Sequence, residues 1–277
     1  MCSFHDSNFF SKKCPLCAKK LFFFKEYPKT KLWFCRDCDL IIKQNTIFFD
    51  TKEDLYVKPD MSLKSCRKRF ERLSRLINIL VNQGLQFSKK RILDFGAGLG
   101  ELETVLQKFG FKNYSYFCTE INPRYIETLK KKNLKIINFY RSKLKFDYIF
   151  LVQSVQYFDN LLLLRQLFSF LKKHGILIIE VLNPFSYYHY IADLLHLDHC
   201  LRIPSNMYLF PLSETTFYKI LNLSSDKIAI KLIKGAESEL INMNSKLLKS
   251  LGKIFYPCFL RFIKKHVHNN LFLIFKK

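Results

Sequence analysis

The 277-residue sequence predicts an α/β fold: a mostly parallel sheet with helices on both faces, preceded by a small module built around paired cysteines. Three observations carry this. From Arg91 onward, short apolar runs alternate with amphipathic helical patterns, the rhythm of strand–helix–strand units. A glycine-rich turn joins the first of those strands to the first of those helices. Well ahead of them stand two close cysteine pairs, Cys14/Cys17 and Cys35/Cys38.

The cysteine segment comes first in the chain. Its spacing, C-x2-C-x17-C-x2-C, makes each pair a knuckle whose two thiolates can reach one tetrahedral ion. Four thiolates leave no open coordination position, so the expected zinc is structural. Residues 14 to 50 are too few to build a core of their own, and the metal would supply folding free energy. Cys2, Cys66, Cys118, Cys200 and Cys258 are scattered singly and read as small buried hydrophobes. The expected boundary places a zinc-binding module at 1–55 and the α/β domain at 56–277.

A helix is predicted over Leu63 to Asn82, with Phe70, Leu73, Ile77 and Leu80 on one face and Gly84 as its stop. Ile92 to Phe95 is the first strand. Leu102, Val105, Leu106 and Phe109 mark a helix that ends at Gly110. Tyr116 to Thr119 is the second strand. Asn122-Pro123 reads as an N-cap with proline at the first helical position, opening a helix through Lys131. Lys135 to Phe139 and Tyr148 to Val152 are strands three and four. A helix over 161–173 is closed by Lys172-Lys173-His174-Gly175, and Ile176 to Leu182 is strand five. Residues 183–212, rich in Tyr, His and Pro, break the rhythm and form an expected substrate-side insert. Ser213 then caps a short helix, and Lys227 to Ile233 reads as a strand. Leu248, Leu251, Phe255, Phe259 and Phe262 line a helix kinked near Pro257. Leu271 to Phe275 is a final strand, giving a hairpin-like edge.

Bulk properties narrow the function. A hydrophobic content of 49% and an aromatic content of 16% exclude extended disorder. No apolar run reaches the roughly eighteen residues a membrane span needs. The first eleven residues lack a secretory pattern, so a cytoplasmic protein is expected. The formal charge of +23 is what a nucleic-acid or phosphate-bearing partner would meet. Against that, the cations are dispersed along the chain, and no aromatic–basic stacking motif stands out. A small anionic or carbohydrate substrate is therefore expected, with nucleic acid as the lesser possibility. Oligomeric state is not legible.

The turn itself reads Asp94-Phe95-Gly96-Ala97-Gly98-Leu99-Gly100, directly after a strand and directly before a helix. Its glycines allow a sharp turn and close approach to a ligand. Glu120 ends the next strand, where an acidic group can accept hydrogen bonds from both ribose hydroxyls of an adenosine. The pattern Asp94-x-Gly96-x-Gly98-x-Gly100 resembles the first motif of class I S-adenosylmethionine-dependent methyltransferases rather than the dinucleotide form G-x-G-x-x-G. That resemblance covers roughly residues 60 to 277 and implies a Rossmann-like sheet with S-adenosylmethionine as cofactor. It implies that Asp94 and the loop Phe95, Gly96, Ala97, Gly98 and Gly100 meet the methionyl end. Glu120 would hold the ribose, Ile121 pack on the adenine, and Gln153 border the sulfonium.

The order of ribbon, linking helix and methyltransferase domain resembles methyltransferases of sugar and cell-surface glycan pathways, as does Pro204 to Phe217. Two departures stand out: Ser205-Asn206 where the sugar C-methylating members carry Glu-His, and Gln156-Tyr157 where many relatives carry Glu-His. O-methylation is the expected outcome. Tyr187, Tyr188, His189, His196 and His199 are candidates for a base, and His199 is chosen for its place just before the resembling segment. Two rivals are an RNA base methyltransferase and a non-catalytic zinc-ribbon interaction protein. The first lacks an Asn/Asp-Pro-Pro-Tyr/Phe motif, since residues 153–157 read Gln-Ser-Val-Gln-Tyr; retention of Asp94 and Glu120 disfavours the second.

Overall fold

The computed structural model describes residues 12–27, 30–45, 62–158, 161–182, 209–211, 214–222, 233–234 and 270–277. The cysteine module is an antiparallel meander of β1 (Phe22–Tyr27), β2 (Thr30–Cys35) and β3 (Leu40–Asn45). The chain continues through α1 (Leu63–Asn82), β4 (Arg91–Phe95), α2 (Glu101–Lys108), β5 (Ser115–Thr119) and α3 (Pro123–Lys131). β6 (Lys135–Ile136), β7 (Phe146–Val152), α4 (Leu162–Ser169) and β8 (Leu171–Leu182) follow. The remaining described elements are β9 (Leu209–Pro211), α5 (Glu214–Leu221), β10 (Ile233–Lys234) and β11 (Asn270–Lys276).

Seven strands form one sheet in the order β10-β11-β8-β7-β4-β5-β6. β4 pairs in parallel with β5 on one side and β7 on the other, and β5 pairs in parallel with β6. Strand order therefore reverses at β4, and the crevice beyond the carboxyl ends of β4, β5 and β7 is where open α/β sheets bind ligands. The expected hairpin edge is present as the antiparallel β10–β11 pair.

The elements arise where sequence chemistry demands them. Asn122 Oδ1 accepts from the Arg124 N–H at 3.1 Å ahead of Pro123, and Ser62 Oγ caps α1 through the Ser65 N–H at 3.3 Å. Leu76, Ile77, Leu80, Ile92, Leu93, Val105 and Leu106 are buried. Phe87 anchors this core, with ring centroids 5.1 Å from Phe111 and 4.8 Å from Tyr148. Burying one such ring contributes about 1.5–3 kcal/mol.

Two expectations are corrected. The helix expected over 161–173 stops at Ser169, and Lys172-Lys173-His174-Gly175 lies inside β8. Lys172 pairs with Asp147 of β7 at 2.7 Å, which fixes it as a strand residue. His174, at φ 64°, and Gly175 together oppose Lys277, an arrangement of one residue against two that makes a β-bulge. A Cβ on Gly175 would meet the carbonyl oxygens of Lys172 and Phe146 at 3.0 Å, so this glycine serves close packing and not helix termination. The strand expected over Lys135 to Phe139 ends at Ile136. Residues Phe139–Arg141 form a single 3-10 turn because Phe139 turns inward, 4.4 Å from Phe170 and 5.4 Å from Phe95 between centroids.

The chain divides into two compact units. One comprises 1–48, 155–162 and 179–273, the other 49–154, 163–178 and 274–277. In the first, β3 pairs antiparallel with β9, placing Leu40 opposite Pro211 and Ile42 opposite Leu209. The insert 183–208, with Tyr187, Tyr188, His189, His196, His199 and Ser205-Asn206, lies outside the described residues. So do Ser213, the strand expected over Lys227 to Ile233 up to residue 232, and the helix expected around Pro257.

Candidate cofactor site and metal centre

The loop after β4 is pinned by its own backbone. Gly96 and Ala97 both donate N–H bonds to the Thr119 carbonyl at 3.0 Å, and Gly100 donates to the Ala97 carbonyl at 2.9 Å. Lys132 Nζ donates to the Leu99 carbonyl at 2.7 Å. Gly100 sits at φ +72°, and a Cβ there would lie 2.7 Å from Leu134 and 2.9 Å from Leu129. Gly98 differs: its φ is +56°, yet among the described residues nothing stands within 4 Å of where a Cβ would be. Gly100 makes room for the protein's own leucines, while Gly98 leaves room open.

Glu120 lies beyond β5 and grips this turn. Its Oε2 accepts the Gly98 N–H at 2.8 Å, and its Oε1 accepts the N–H groups of Ile121 at 2.7 Å and Asn122 at 2.9 Å. Oε1 is thereby filled, and Oε2 keeps one lone pair for another donor. Ile121 next door is 74% exposed, a large apolar side chain left in water beside the loop. Gln153 follows β7 in a left-handed conformation, φ 52°. Ser154, adjacent to it, has a buried hydroxyl with no hydrogen-bond partner among the described residues, and it packs against Gly96. An open glycine, a carboxylate with acceptor capacity, an exposed apolar side chain and an orphaned hydroxyl together fit a nucleoside-bearing cofactor.

Asp94 is buried at the end of β4, and its Oδ2 accepts the Tyr116 hydroxyl at 2.5 Å. Burial pushes its carboxyl up to about 7; the Tyr116 hydrogen bond opposes this, and the negative charges of Glu101, Glu120 and Glu103 add to it. Burial, with Asp94 beside it, holds the Tyr116 phenol well above its ordinary value. Tyr116, Thr119, Lys132 and Ser154 were not singled out from sequence. The one signal available was a polar-tipped aromatic at Tyr116, in the strand directly after the glycine loop and its helix.

The sequence pattern of a family described as a methyltransferase domain matches residues 66–222. The chain belongs to this family of methyltransferase domains. Among solved structures, this methyltransferase is similar to one from Haloferax volcanii, determined in complex with the Trm112 methyltransferase activator, at 10% identity and a TM-score of 0.51. That match covers 80% of this chain and 99% of the other and shows the shared fold. A SAM-dependent methyltransferase from Archaeoglobus fulgidus matches at 19% identity and a TM-score of 0.48, over 76% of this chain and 94% of that one. The magnesium protoporphyrin IX methyltransferase of Synechocystis PCC 6803, with bound SAH, matches at 13% identity and a TM-score of 0.48, over 81% and 92%. No curated protein matches the chain.

In the methyltransferase's cysteine module the sulfurs of Cys14, Cys17, Cys35 and Cys38 all lie within 4.8 Å of one another, the one such group among the described residues. Cys17 Sγ and Cys35 Sγ are 3.6 Å apart. A zinc–sulfur bond of about 2.3 Å in a tetrahedron sets sulfurs about 3.8 Å apart, so the cluster is close to the size of that site. The Leu16 N–H points at Cys14 Sγ, 3.4 Å away. Burial pushes the Cys35 thiol up to about 11, with hydrogen bonding to Cys14 and Cys17 adding to it, and burial raises Cys38 as well. Burial also raises Cys17, but the Lys19 N–H and the neighbouring thiols outweigh it and hold that thiol below its ordinary value. Four ionised sulfurs at these distances repel, and a divalent cation removes the conflict.

The second knuckle is also held by α5. Thr216 Oγ1 donates to the Cys38 carbonyl at 2.6 Å and the Asp39 carbonyl at 3.0 Å. Lys219 Nζ donates to the Asp37 carbonyl and lies 3.9 Å from Cys38 Sγ.

Phe22, Phe23 and Phe24 on β1 are all exposed, with the Arg36 guanidinium 4.5 Å over the Phe22 ring and Lys12 Nζ 5.4 Å over Trp33. An aromatic–basic combination is present, assembled from residues too far apart in sequence to read as a motif. Among the described residues, no helix is long and apolar enough to cross a membrane.

Proposed function

We propose that this methyltransferase transfers the methyl group of S-adenosylmethionine to a hydroxyl of a sugar, nucleotide-sugar or glycan intermediate in the cytoplasm. Cys14, Cys17, Cys35 and Cys38 hold a structural zinc ion in a module that begins the chain and borrows β9. The observation that carries the cofactor assignment is the loop left open at Gly98 with the Glu120 carboxylate bonded to that same residue. The acceptor class is supported by the order of ribbon, helix and methyltransferase domain and by the Pro204 to Phe217 segment.

When bound, the cofactor supplies a methyl group made electrophilic by its sulfonium. The chain's own work is placement and proton handling. Asp94 and the loop through Phe95, Gly96, Ala97, Gly98 and Gly100 receive the methionyl end. Glu120 would hold the ribose, its Oε2 having acceptor capacity beyond the Gly98 N–H. Ile121 covers the adenine, and Gln153 borders the sulfonium. His199, in the insert 183–212, takes the acceptor's hydroxyl proton.

A second reading, an RNA methyltransferase, is favoured by the exposed Phe22 to Phe24 beside Arg36 and by the +23 charge, a combination suited to single strands. Labelled cofactor separates the two. Incubation with total RNA and with a nucleotide-sugar and glycan extract is expected to label the second. Label confined to RNA overturns the sugar assignment.

A further inference from the structure

Tyr116 and Asp94 are 7% and 3% exposed, and the hydrogen bond between them is closed off from water. Tyr116 stands opposite Ile92 in the β4–β5 register, so it reaches Asp94 diagonally across the sheet. Among the described residues this is the one hydrogen bond to the Asp94 carboxyl, and Oδ1 keeps its lone pairs. The groups that face Asp94 from the surrounding elements are Glu101 and Glu103 on α2, Cys118 on β5, and Glu120 beyond β5. From β7 its register partner is Phe150. Tyr116 is thus the group that favours a carboxylate, among neighbours that favour the acid.

We propose that Tyr116 is a positioning residue of the cofactor site: it fixes the Asp94 carboxylate by one oxygen and presents the other, ionised and unshared, to the cationic amino-acid end of the methyl donor. The proposal rests on Asp94 belonging to that site. A phenol that donates to Oδ2 stabilises the ionised form, while burial and the three carboxylates favour the acid; with all of them acting, the carboxyl stands at about 7. Without the hydroxyl those two effects act unopposed, and the proton stays on to higher pH. Because this carboxyl has its affinity for protons raised, the ionised form that binds a cation is present above pH 7 and is lost as pH falls through 7.

Calorimetry of S-adenosylmethionine binding between pH 6 and 8.5 tests this on the full chain. The parent protein is expected to lose affinity as pH falls from 8 to 6. Tyr116→Phe, which keeps the ring, should move the midpoint of that loss up by about one pH unit, the effect of about 1.4 kcal/mol on one protonation state. It should bind about fivefold more weakly at pH 7 and within about twofold of the parent at pH 8.5. Asp94→Asn should bind weakly at every pH. A Tyr116→Phe protein that follows the parent throughout, or is weaker by one constant factor, overturns the positioning role. A parent protein with no loss between pH 8 and 6 overturns it without any variant. An Asp94→Asn protein that binds like the parent removes Asp94 from the cofactor site itself.

Discussion

The glycine loop and the second cysteine knuckle are both tight turns beside a strand end, yet they reach order by opposite routes. The loop between β4 and α2 is held from within its own sheet: N–H bonds to Thr119, a carboxylate from Glu120, and two leucines against Gly100. The knuckle at 35–38 is held from outside, by the two sulfurs of the first knuckle and by Thr216 and Lys219, 178 and 181 residues beyond Cys38. A turn built into a parallel sheet needs only short-range partners. A turn in a meander this small draws on a distant helix, because its own apolar core is little more than Leu21, Leu32, Leu40 and Ile41.

That contrast predicts different sensitivities. The largest effect should follow removal of metal. Structural zinc contributes about 10–16 kcal/mol in small zinc modules. Chelation, or Cys35→Ser, is expected to abolish zinc in elemental analysis and to open residues 12–45 to hydrogen exchange, with cofactor affinity retained. A protein that never contains metal and still protects those amides breaks the comparison. Next comes Gly100→Ala, where an added methyl meets Leu134 and Leu129 at under 3 Å in a left-handed conformation. Its cost should be about 2–4 kcal/mol in chemical denaturation, the sum of overpacking and backbone strain. Gly98→Ala, with space around it, should cost stability only about 1–2 kcal/mol. Equal losses at the two positions would show that Gly98 is as enclosed as Gly100. On folding the smallest effect is that of Glu120→Ala, which acts on binding instead and should weaken S-adenosylmethionine affinity by about 1.5–3 kcal/mol, the range for a hydrogen bond to a charged group. Unchanged affinity by calorimetry would leave Glu120 a loop brace and nothing more.

The same contrast explains what was legible in the chain. Asp94, the glycines and Glu120 lie at fixed offsets around one strand–turn–helix unit, so their spacing is their geometry. The α1 limits and the Asn122 cap were readable for the same reason, since capping and 3.6-residue periodicity are local. Lys172 to Gly175 misled because cations followed by glycine mark a helix end as well as a bulged strand, and only the β7 partner Asp147 and the opposing Lys277 decide between them. The Tyr116–Asp94 bond depends on parallel register between two strands, and the Thr216 clamp on a pairing between β3 and β9. Neither leaves a periodic trace in the sequence.

The distance between the second knuckle and its clamp also sets an order in time. At about 5–20 residues per second of synthesis, Thr216 follows Cys38 by about 10–35 s. Through that interval the four thiols are already made while β3 still lacks β9, leaving an open strand edge of Leu40, Ile41 and Ile42. In the nascent chain the paired cysteines therefore stand complete well before α5, which brings Thr216 and Lys219 to the second knuckle, has been made.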